Sequence, residues 1–189
     1  MVGVVLKVAF NDVTPVKIGG RILKSYDCWN DMLSRCYSAR VHAAQPRYVG
    51  CTVSEDWLVF SRFKRWFDSR YQEGYELDKD LLIPGNRVYS PETCVLIPTF
   101  LNLFTTGRPA RGAKLPQGVS RRSENSYRAR IGGKKTLEVI GNFRTAEEAH
   151  LAWFNRKIEL AYEYKTLCDS IDPRLFEGVL RKIHSMKEV

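Results

Sequence analysis

Between residues 118 and 164 the apolar side chains change period, and no other feature constrains this chain as much. Residues 118–122, 127–131 and 136–140 alternate apolar with polar, the period of half-buried strands, and turns at 123–125 and 132–133 join them. Past Gly141 the period lengthens. From Ala146 to about Tyr164 a helix carries Ala149, Ala152, Trp153 and Leu160 on one side. Thr145 and Glu148 ahead of it have capping-box form, with a hydroxyl at the N-cap and a carboxylate three residues on. Such a set buries its apolar surface by laying the helix against one face of an antiparallel sheet. In the middle strand Tyr127, Ala129 and Ile131 then point to the helix, leaving Arg128 and Arg130 on the open face.

Charge concentrates in the same stretch. The chain carries a net +9, of which residues 1–107 hold +2, residues 108–144 hold +8 and residues 145–189 hold −1. A solvated surface mixes both signs, whereas a basic block of this density is the footprint of a phosphate-binding face. Arg108, Arg111 and Lys114 precede the strands, Arg121, Arg122, Arg128 and Arg130 lie on them, and Lys134, Lys135 and Thr136 surround the second turn. These ten residues are the expected DNA contacts. A small sheet can enter the major groove, where arginine pairs bidentately with guanine.

The rest of the chain predicts a second unit. Residues 1–20 read as a strand pair, residues 25–36 as a helix, and residues 41–50 as a loop. Ser54 stands as N-cap of a further helix bearing Trp57, Phe60, Phe63, Lys64 and Phe67. Turns at 84–86 and 90–92 bracket two short strands, and residues 105–112 have linker composition. Asp172-Pro173 opens a last helix whose stripe of Leu175, Val179, Leu180 and Ile183 either covers the core or pairs two copies of the chain as a homodimer. The five cysteines include no C-x-x-C pair, so buried reduced thiols are expected rather than zinc ligands. No run reaches the roughly 20 apolar residues of a membrane span, and the first ten lack signal-peptide form. A cytoplasmic protein, in a bacterial host cell, is expected.

Two resemblances sharpen this. Residues 115–119 (LPQGV), 127–131 (YRARI) and 140–149 (IGNFRTAEEA) resemble the Apetala/ethylene-response-factor DNA-binding domain. That resemblance implies three strands in the major groove with a helix behind, placing Arg121 and Arg122 of the first strand and Arg128 and Arg130 of the second toward the bases. The third strand departs from the plant form, offering Thr136 and Glu138.

Trp29, Met32, Arg35-Cys-Tyr37, residues 48–57 (YVGCTVSEDW), 77–80 (LDKD), Asn86 and 89–94 (YSPETC) resemble phage-borne HNH homing endonucleases. Those enzymes, as the resemblance implies, use a histidine base, an adjacent aspartate on one divalent metal, and an Asn or His about twenty residues on. Here Asp78 stands in place, but Lys79 occupies the base position and Thr93 the second ligand position. An ammonium is no base and repels a cation.

The expected fold is therefore α+β. A degenerate ββα-metal (HNH-like) domain over residues 1–106 precedes a three-stranded antiparallel sheet packed on one long helix over 107–167, and a C-terminal helical tail over 168–189. The expected partner is double-stranded DNA. No cofactor is expected for a non-cutting repressor of phage or mobile-element genes; the alternative is an HNH-type endonuclease with Mg²⁺ on Asp78 and Asp80.

Overall fold

A computed structural model describes residues 3–107, 115–132 and 137–187. The chain is of mixed α and β structure and forms two compact units, residues 1–96 and 97–189.

The first unit begins with two hairpins. Strands β1 (Gly3–Val5) and β2 (Ala9–Asn11) pair antiparallel, and so do β3 (Lys17–Ile18) and β4 (Arg21–Ile22). The expected pairing of the first ten residues with residues 16–18 is replaced because the chain reverses earlier. Leu6 and Lys7 take φ of 49° and 61°, and the Val8 amide donates to the Val5 carbonyl at 3.2 Å. Without Asn or Gly, that turn carries no sequence signal.

Helix α1 (Lys24–Tyr37) buries Trp29, Met32, Leu33 and Cys36. The expected loop at 41–50 instead contains α2 (Ala39–Ala44) and a 3-10 turn, Pro46–Tyr48. Strand β5 (Thr52–Val53) follows. Ser54 heads a 3-10 turn, Glu55–Leu58, with no side-chain capping bond, and α3 (Phe60–Asp68) starts afresh two residues later. The expected aromatic row is core: Trp57, Phe60 and Phe63 are wholly buried and Phe67 nearly so, while Lys64 pairs with Asp68 at the edge. The Trp29 indole N–H donates to the Trp57 carbonyl at 2.7 Å. Each such ring stabilises the fold by about 2–3 kcal/mol through burial. Strands β6 (Tyr75–Asp78) and β7 (Val88–Tyr89) follow, then β8 (Val95–Pro98), which starts at the end of the unit and runs past the division at 96/97; β5 is parallel to β7 and β6 lies beside β8.

The second unit opens with α4 (Thr99–Thr105). The division at 96/97 falls ten residues before the expected boundary at 106/107, because the α4 rings Phe100 and Phe104 pack edge-on against Tyr164. Strands β9 (Val119–Ser123), β10 (Ser126–Gly132) and β11 (Leu137–Phe143) form an antiparallel sheet of order β11-β10-β9. Helix α5 (Ala146–Glu163) lies on it, then come α6 (Lys165–Ile171) and α7 (Leu175–His184). This is the expected three strands on one long helix. On α7, Leu175, Val179 and Ile183 are fully buried and Leu180 half-buried, so the apolar stripe serves the core of its own unit.

Candidate nucleic-acid interface

The sheet sorts its side chains by register. Ala129 and Ile131 are buried toward α5, while Arg130 is exposed and Arg128 partly so. Pairing sets Arg128 opposite Ser120 on β9 and Asn142 on β11, and Arg130 opposite Val139. Partners across a sheet share a face, so Ser120, Arg128, Arg130, Val139 and Asn142 form one row pointing away from the helix. The Arg128 Nε donates to Asn142 Oδ1 at 3.0 Å, which holds the guanidinium in the row.

Arg121 departs from expectation. Neighbours on a strand cannot both face the groove, and Arg121 pairs with Tyr127 on the helix-facing side. Its Nε and Nη2 donate to the carbonyls of Ser123 and Glu124 at 3.1 and 3.3 Å, bracing the β9–β10 turn. Arg122 is exposed at the irregular step where the pairing shifts.

Glu138 departs too, and usefully. A bulge opposite Ala129/Arg130 shifts the register of β11, turning Glu138 to the helix face opposite Ile131. There it takes two bonds from Arg156 Nε, at 2.9 and 3.2 Å, and Arg156 also reaches Glu159 and Glu163. The carboxylate thus leaves the open face, and Leu137 and Val139, 61% and 53% exposed, stand beside the arginines instead. Ser120, Leu137, Val139 and Asn142 were not foreseen. Gly141 inside the strand was the available mark of a bulge. Arg108, Arg111, Lys114, Lys134, Lys135 and Thr136 lie outside the described residues.

Further contacts fix the start of the helix and hold the sheet on it. The foreseen capping box is formed: Thr145 Oγ1 accepts from the Glu148 amide at 3.1 Å, and Glu148 Oε2 accepts from the amides of Arg144 and Thr145. At the entry to β9, Gly118 has φ of 81° and lies so close on Trp153 that a Cβ would stand 2.1 Å from the indole. His150 stacks on the same ring, with Nδ1 on the Gln117 carbonyl at 2.9 Å and Nε2 on that of Met186 at 3.2 Å.

In the first unit Asp78, Lys79, Asn86 and Thr93 hold a loop. Asp78 Oδ1 accepts from the amides of Asp80 and Leu81 at 2.7 and 2.8 Å. The buried Lys79 donates to Asp80 and to the Asn86 carbonyl, and Thr93 Oγ1 donates to the Val88 carbonyl at 2.6 Å. Asn86 Nδ2 donates to the carbonyls of Lys79 and Val88. His42 sits on the Arg35 carbonyl. Among the described residues no three His, Cys, Asp or Glu side chains are grouped as metal ligands. All five cysteines are free, and burial pushes the thiols of Cys28, Cys36 and Cys94 up to about 12.

Among the described residues no helix is long and apolar enough to cross a membrane. Comparisons with family models, with curated proteins and with solved structures found no match.

Proposed function

We propose that this chain binds double-stranded DNA in a sequence-specific manner and occupies its site without cutting it, as a repressor of phage or mobile-element genes in a bacterial cytoplasm. One observation carries the reading: Arg128 and Arg130 lie in the exposed row of a sheet within a segment of net charge +8, and the acid of that row's third strand is turned away to Arg156. Bidentate arginines suit guanine, Asn142 suits adenine, and the apolar Leu137 and Val139 suit thymine methyl groups.

The HNH-like ancestry of the first unit is part of this proposal. Lys79, at the base position, reaches Asp80 and the Asn86 carbonyl, so the amine stands among the groups that would hold a cation. The second reading, an Mg²⁺-dependent endonuclease using Asp78 and Asp80, draws support from their adjacency alone.

Gel shifts over a phage-genome fragment library identify the bound site, which is then incubated with protein and Mg²⁺ or Mn²⁺. Binding without strand breaks is the expected result. Breaks that disappear in Asp78→Ala overturn the repressor reading, and equal affinity for every fragment overturns sequence specificity.

A further inference from the structure

The second unit contains a cavity of about 380 Å³ between α4, the exposed end of β10 and α5, at the small end of the range for ligand sites. Its walls include four rings, those of Phe100, Phe104, Trp153 and Tyr164. Lys157 lines it as well and is only 4% exposed, although lysine is seldom buried without a partner. Its Nζ lies 4.3 Å from the centroid of Phe104 and 4.9 Å from that of Trp153. Among the described residues no carboxylate or carbonyl meets that amine.

The wall holds no acid. Its charged and titratable groups are Lys157, Arg130 and Tyr164. Aromatic faces offset part of the cost of burying an ammonium, yet an anion beside it would offset more. From this geometry we infer that the cavity binds a small aromatic carboxylate, with its ring between the aromatic walls and its carboxylate on Lys157. The inference stands apart from DNA binding: Arg130 of the open row borders the cavity, but the proposal rests on the aromatic walls and the Lys157 amine.

Desolvation lowers Lys157 to about 8, so above that pH the unliganded amine loses the proton an anion requires. Carboxylate affinity is then level up to about pH 8 and falls by about tenfold per unit above it. A neutral ligand of the same shape shows no such fall.

The test uses the full chain and two probes, 1-naphthoate and its neutral analogue 1-naphthalenemethanol, titrated by calorimetry from pH 7 to 9.5. At pH 7 naphthoate is expected to bind at least tenfold tighter than the alcohol, and to lose that advantage as pH rises. Lys157→Met, which keeps the length and removes the charge, is expected to abolish the preference while retaining alcohol binding. No naphthoate binding at millimolar concentration, equal affinity for both probes, or a flat pH profile in the unaltered protein overturns the proposal. An undiminished preference in Lys157→Met overturns it as well. The pH profile of the unaltered protein keeps the test decisive should the variant fail to fold.

Discussion

Gly118 and Lys157 both meet the Trp153 indole and do opposite things to stability. At Gly118 a side chain has no room: the Cβ position overlaps Trp153, and φ of 81° disfavours any L residue. Gly118→Ala is expected to destabilise the second unit by about 3 kcal/mol or more, read as a lower denaturant midpoint at unchanged slope. Lys157 is itself a cost. Its folded-state value of about 8 lies below the ordinary 10.5, so at pH 7 the fold holds a desolvated charge that the unfolded chain exposes to water. Between about pH 8 and 10.5 the unfolded chain binds the extra proton, so this group makes stability rise with pH across that window. Lys157→Met is expected to stabilise the protein at pH 7 by on the order of 2 kcal/mol, with the gain fading by pH 10.5; thermal melts across the range check it. A gain that is constant with pH would refute the buried-charge account. The sequence carried a sign of this lysine, which falls four residues after Trp153 within an apolar stripe.

At the level of elements, the sheet and its helix were legible because period, turn residues and capping box agree, and local signals that agree specify a fold well. The open row of β10 was legible for the same reason. What stayed hidden was register. Two irregular steps, at Ser126/Tyr127 and Ala129/Arg130, reassign the faces of β9 and β11, so Arg121 and Glu138 change sides and Val139 and Asn142 join the row. A one-residue slip exchanges every face beyond it, and alternation alone does not report slips. Arg128→Ala and Arg130→Ala are each expected to weaken binding to the specific site by about 1–3 kcal/mol, whereas Arg121→Ala, which loses turn contacts, weakens it less. Competition assays against random DNA measure this, and equal losses on specific and random sequences would show that the row touches only backbone.

Over the whole molecule, each unit has its own core, and the four tryptophans divide three to one: Trp29, Trp57 and Trp66 in the first, Trp153 in the second. The first unit was the less legible because its strands are two to four residues long and depend on contacts between distant segments, as in the parallel pairing of β5 with β7. Its polar loop is structural: Asn86 bridges Lys79 and Val88 through both side-chain polar atoms. Asn86→Ala is expected to destabilise that unit by about 2 kcal/mol while leaving the signal of Trp153 unchanged, which near-ultraviolet dichroism of the variant against Trp153→Phe resolves. The division of labour in the sheet bears on how such a protein can diversify. Tyr127, Ala129, Ile131 and Glu138 anchor it to the helix, while Ser120, Arg128, Arg130, Val139 and Asn142 anchor nothing behind them. Mutations in the second set leave the core as it is, so, if the row binds DNA as proposed, a lineage carrying this module can drift to a new target one base at a time and remain folded at every step.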